Sequence, residues 1–79
     1  MKFKKESAKY LERMPMKYAR KLRLALGRIE MGDTLGLDIK PMTNKSGYYR
    51  LRIGDYRAIY HLADELFVEV IGARGDVYK

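Results

Sequence analysis

The chain has 79 residues, no cysteine, one histidine, and 17 Lys/Arg against 10 Asp/Glu for a formal net charge of +7. That length allows one small domain, residues 1–79, near the lower limit for a core without staples; the missing thiols and lone histidine exclude a disulfide framework and a zinc site, so neither metal nor cofactor is expected. No apolar run approaches the ~20 residues of a membrane span and no secretory pattern follows the basic start, which predicts a cytoplasmic protein without a membrane partner.

In chain order, FKKESAKYLERM sets Ala8, Leu11 and Met14 at helical spacing, and Pro15 interrupts the backbone ladder behind them. Pro15 also suits the first turn of a second helix. From Met16 to about Met31, Tyr18, Leu22, Ala25, Leu26 and Ile29 form an apolar stripe, with Lys17, Arg20, Lys21 and Arg28 lying away from it. Residues 1–31 hold ten Lys/Arg and three Asp/Glu, whereas residues 32–79 hold seven of each. The helical hairpin is therefore a polycation suited to nucleic acid or an acidic protein.

Gly32 and Asp33 end the second helix, and the stretch from Asp33 to Gly47 has no sustained period and reads as a connecting loop. The period then changes to two: YYRLRI, Gly-Asp, YRAIYHL, Ala-Asp-Glu, LFVEVIG, three strands of an antiparallel meander. The fold class is α+β, a helical hairpin packed on a twisted antiparallel sheet.

A two-residue turn at Gly54-Asp55 sets Ile53 opposite Tyr56, Arg52 opposite Arg57, Leu51 opposite Ala58 and Arg50 opposite Ile59. Like charges in a cross-strand pair are destabilising, so an anion belongs there. Asp55, Glu69 and Asp76 are the carboxylates of the chain that could supply it. Matching hydrophobic faces across the second turn sets Tyr56, Ala58, Tyr60 and Leu62 against Gly72, Val70, Val68 and Leu66, leaving Arg57 beside Ile71. Arg74 and Tyr78 follow that strand. Guanidinium forks match phosphate oxygens, and tyrosine rings stack on unpaired bases for ~1–3 kcal/mol each. The predicted ligand of this end of the sheet is a phosphate. His61, mid-strand and at the far end, reads as structural.

YYRLRIGDYRAIYHL followed by VEVIGARGDVYK resembles the RelE branch of the RelE/ParE toxin superfamily, and KKESAKYLERMP resembles that family's first helix, so the similarity runs over nearly the whole chain. It implies the RelE-like toxin fold, with the first strand here cut to Met1, Lys2 and Phe3 and the helix that often follows the tyrosine absent. It also implies a toxin of a toxin–antitoxin pair: a metal-independent endoribonuclease that enters the ribosomal A site and cuts mRNA by attack of the ribose 2′-hydroxyl on the adjacent phosphate. The partners implied are a cognate antitoxin in a hetero-oligomer, the ribosome and mRNA. Lys17, Arg20, Lys21 and Arg28 would then grip rRNA phosphates, and an antitoxin could cover an open sheet edge by strand or helix addition.

Carried over by position, Arg50 and Arg52 stand where well-known members have basic strand residues, Arg57 matches the arginine after the hairpin turn, and Arg74 and Tyr78 match the C-terminal arginine and tyrosine. Arg57 and Arg74 would stabilise the charge of the phosphorane, Arg50 and Arg52 hold the backbone and support the leaving oxygen, and Tyr78 stack on a base or assist proton transfer. A guanidinium does not deprotonate in proteins, so neither strand arginine serves as general base, and Tyr78, whose phenol ordinarily titrates near pH ~10, is a poor one. The base is unassigned at this level. The alternatives are a ParE-like DNA gyrase inhibitor and a catalytically impaired RNA- or antitoxin-binding homologue.

Overall fold

In the computed structural model, which describes residues 1–73, the chain runs β1 (Lys2–Phe3), α1 (Lys5–Arg13), α2 (Met16–Glu30), β2 (Asp38–Pro41), β3 (Tyr48–Ile53), β4 (Tyr56–Leu62) and β5 (Leu66–Ala73). The sheet order is β1-β5-β4-β3-β2, antiparallel throughout except for β1, which lies parallel to β5. Arg74 and Tyr78 lie outside the described residues. No helix among the described residues is long and apolar enough to cross a membrane.

The two helices form where the apolar spacing places them. Met14, in extended conformation, ends α1, and Pro15 stands at the N-terminal cap of α2, so the chain turns without a side-chain cap. On α2 the buried positions are Ala19, Leu22, Ala25, Leu26 and Ile29, with Tyr18 half-buried at the flank of the stripe. They pack with Leu11 of the first helix and with Met14 just after it onto Leu51, Ala58, Tyr60, Leu66, Val68 and Ile71 of the sheet. Among these Leu22, Leu26, Leu51, Leu66 and Val68 are wholly buried. One face of the sheet is thus committed to the core.

The β3–β4 hairpin has the register that its two-residue turn dictates, with Arg52 opposite Arg57. Gly54 carries φ +60°, and no described residue other than glycine has positive φ, so the turn has the II′ form that matches strand twist. The space there is also tight, since a Cβ on Gly54 would stand 2.9 Å from Tyr18 Cε1.

Two expectations are corrected. The segment after α2 is not only a loop: Asp38–Pro41 pairs with β3 as an edge strand, Asp38 opposite Arg52 and Lys40 opposite Arg50. Second, the β4–β5 register holds at Leu62–Leu66 and Tyr60–Val68 but shifts by one beyond a bulge, so that Ile59 faces Val70, Ala58 faces Ile71 and Arg57 faces Gly72. Ile71 rather than Val70 enters the core, and Arg57 lies beside a residue without a side chain, not beside Ile71.

Candidate phosphate-binding face

The face of the sheet away from the helices carries residues in rows set by the pairing: Tyr48, His61 and Phe67 at one end, then Lys40, Arg50, Ile59 and Val70, then Asp38, Arg52, Arg57 and Gly72 beside the Gly54-Asp55 turn. Successive rows stand two residues apart along β3 and β4, about 7 Å, and three apart on β5 where the bulge falls between Phe67 and Val70. Basic side chains therefore line a track that runs with the strands.

Arg57 is the centre of this face. It is 6% exposed, and its Nε is buried with no hydrogen-bond partner among the described residues. Its Nη1 donates only long bonds, 3.5 Å to the Gly54 carbonyl and 3.4 Å to the Tyr56 carbonyl. Arg52 Nε donates to the same Gly54 carbonyl at 3.2 Å. The two guanidiniums converge on one backbone oxygen, and neither has a carboxylate partner among the described residues. A carbonyl dipole offsets little of two cations, and a buried charge without a counter-ion is costly. Gly72, which has no side chain, stands opposite Arg57.

Arg50 also has a buried Nε without a hydrogen-bond partner among the described residues, but it differs in having a carboxylate. Its Nη2 donates to Asp38 Oδ1 at 3.0 Å, a contact supplied by the edge strand that the sequence pattern hides. Among the described residues neither Asp55 nor Glu69 pairs with an arginine; Glu69 stands 3.9 Å from Lys4 Nζ, and Asp76 lies outside the described residues. Asp38 is therefore the residue that the sequence reading missed on this face, a half-exposed carboxylate in hydrogen-bond contact with Arg50.

His61 lies between Tyr48 and Phe67, ring centroids 4.8 and 5.2 Å away, and Lys45 Nζ stands 4.0 Å over the Tyr48 ring. This cross-strand ladder gives His61 a packing role. Among the described residues no group of three or more His, Cys, Asp or Glu is placed to hold a metal ion.

The helix cations divide. Lys17, Arg20 and Lys21 are exposed on α2, and Lys17 and Lys21 stand 5.8 and 5.9 Å from the Tyr18 ring that touches the Gly54 turn. The basic helix and the arginine row therefore meet at one end of the molecule. Arg28 is drawn away: its Nε and Nη2 donate to Asp33 at 3.0 and 3.1 Å, clamping the helix end. The same hydrogen bonds hold the Asp33 carboxyl below its ordinary range and raise Arg28.

A two-helix, five-stranded α+β fold with arginines gathered on the sheet face away from the helices has clear structural relatives. The chain superposes on the RelB–RelE antitoxin–toxin complex from Methanococcus jannaschii with a TM-score of 0.83 at 25% identity, covering 99% of this chain and 95% of that one. Against the RelE–RelB complex from Pyrococcus horikoshii OT3 the TM-score is 0.70 at 25% identity, over 95% and 93%. The isolated E. coli RelE toxin shares the fold, with a TM-score of 0.76 at 19% identity over 98% and 87%. No family model and no curated relative matches. The chain belongs to the RelE/ParE superfamily and is RelE-like.

Proposed function

We propose that the chain is the toxin of a toxin–antitoxin pair and a ribosome-dependent endoribonuclease that cuts mRNA in the A site, inhibiting translation in the cytoplasm. The observation that carries this reading is Arg57, a buried guanidinium beside a second arginine with no carboxylate facing it among the described residues. The two archaeal relatives, solved as complexes of RelE with RelB, support an antitoxin as the resident partner in a hetero-oligomer.

In the reaction the ribose 2′-oxygen forms a bond to phosphorus and the bond from phosphorus to the 5′-oxygen breaks, leaving a cyclic phosphate and a free 5′-hydroxyl. The five-coordinate phosphorane carries more negative charge than the diester, so donors already aimed at its oxygens stabilise it selectively. Arg57 and Arg52 supply those donors beside the turn, joined by Arg74 from the tail. Arg50 holds the neighbouring backbone phosphate, and Tyr78 stacks on a base. Asp38 fills the place of the general base, receiving the 2′-hydroxyl proton, while a proton from solvent or the ribosome completes the leaving 5′-hydroxyl. Lys17, Arg20 and Lys21 grip rRNA phosphates. Arg28, engaged by Asp33, contributes less to that grip.

Purified ribosomes programmed with mRNA and supplied with the chain test the reading. Cleavage at A-site codons is expected with the wild type and is lost in Arg57→Ala while the fold is retained. Cleavage that survives in Arg57→Ala would refute the site.

A further inference from the structure

Ser7 on α1 is 1% exposed, and its Oγ donates to the Glu69 carbonyl of β5 at 2.7 Å. Glu69 is the extra residue of the β5 bulge: Tyr60 faces Val68 and Ile59 faces Val70, so no residue of β4 stands opposite it. The one side-chain hydrogen bond from α1 to β5 among the described residues therefore falls at the point where the register changes.

That point has a competing solution. Without the bulge, continuous alternation would send Val70 into the core and set Ile71 opposite Arg57. Both arrangements bury one β-branched side chain, so the hydrophobic pattern of VEVIG scarcely distinguishes them. In the structure Ile71 is 6% exposed and Val70 is 41% exposed. We infer that Ser7 is a positioning residue, holding the Glu69 carbonyl so that β5 adopts the bulged register that sets Gly72, not Ile71, against Arg57 and keeps a β-branched side chain from standing beside its guanidinium. The inference rests on the reading of Arg57 as an RNA-phosphate ligand. Bulges beside functional sites commonly re-aim side chains in this way.

Two variants and two readouts test it. Ser7→Ala is expected to replace the cross-strand nuclear Overhauser contacts between Arg57 and Gly72 by contacts between Arg57 and Ile71. It is also expected to weaken binding of a short fluorescein-labelled single-stranded RNA by about tenfold, the loss of one charge-assisted phosphate contact. Deleting Glu69 removes the extra residue and leaves Val70 opposite Ile59, Ile71 opposite Ala58 and Gly72 opposite Arg57 with no bulge to hold. The double variant, Ser7→Ala with Glu69 deleted, is therefore expected to recover both the Arg57–Gly72 contacts and RNA affinity. A Ser7 that matters only for folding would leave the double variant as weak as Ser7→Ala.

Persistence of the Arg57–Gly72 contacts in Ser7→Ala overturns the inference, as does failure of the deletion to restore them. If Ser7→Ala alone does not fold, recovery of a folded double variant with those contacts supports the inference, and an unfolded double variant overturns it. If the register moves but Arg57→Ala binds RNA like the wild type, the reading of Arg57 fails while the hold of Ser7 on the register stands.

Discussion

Replacing Arg57 by methionine is expected to stabilise the fold while abolishing activity. Among the described residues the guanidinium, 6% exposed, has no carboxylate partner, no partner for Nε, and two contacts of 3.4 and 3.5 Å. Contacts that long lie at the weak end of the ~0.5–1.5 kcal/mol span of net hydrogen bonds, so their loss costs about 1 kcal/mol together. Exchanging buried ionic groups for apolar residues of similar volume is often neutral or stabilising by up to ~4 kcal/mol, and a cation without a counter-ion has the most to gain. The net is a gain of about 1–2 kcal/mol, and each kcal/mol raises Tm by about 4–8 °C in a domain of this size. Thermal melts by circular dichroism measure it. Inorganic phosphate should raise the Tm of the wild type, because a ligand bound only by the native state stabilises it, and should leave Arg57→Met unmoved. A variant that melts several degrees lower, or that responds to phosphate like the wild type, would refute the reasoning that this arginine is held for an anion.

Other substitutions probe the surrounding geometry. Gly54→Ala forces a positive φ on an L residue and a contact of 2.9 Å with the Tyr18 ring, and should cost about 1–2 kcal/mol or more in urea denaturation. Asp38→Asn should slow cleavage on the ribosome while RNA affinity holds or rises, because it removes the proton acceptor and frees Arg50; unchanged cleavage would exclude Asp38 as the base. Burial, with Tyr49 alongside, pushes Tyr60 up from 10.0 to about 12, so the folded state keeps a proton that the unfolded chain loses. The contribution of Tyr60 to stability should be level below about pH 10, fall as the pH rises toward about 12, and vanish in Tyr60→Phe. The affinity for single-stranded RNA should fall with salt, and replacing Lys17, Arg20 and Lys21 by alanine should flatten the logarithmic slope by about 0.7 for each phosphate no longer neutralised.

The parts of the fold that were legible share a local cause. The two-residue Gly54-Asp55 turn admits one pairing, so the juxtaposition of Arg52 and Arg57 follows from the order of residues alone. The apolar stripes of α1 and α2 carry helical spacing strongly enough to place the hairpin, apart from Ala19, whose small side chain adds little to the pattern. What escaped depends on distant contacts. Strand β2 is the four residues DIKP on a sheet edge, exposed, with a lysine and a proline, so no alternation announces it. With it went Asp38, whose tie to Arg50 exists only once the strands are paired. The bulge in β5 was hidden because Val70 and Ile71 are equally apolar neighbours, and the choice between them falls to a hydroxyl 62 positions away on α1.

Primer extension on mRNA recovered from programmed ribosomes tests the central claim most directly. Wild-type chain should yield cuts within the A-site codon, ending in a cyclic phosphate and a free 5′-hydroxyl, and Arg57→Met, with its raised Tm, should yield none. Intact mRNA with the wild type, accompanied by inhibition of gyrase supercoiling, would contradict it.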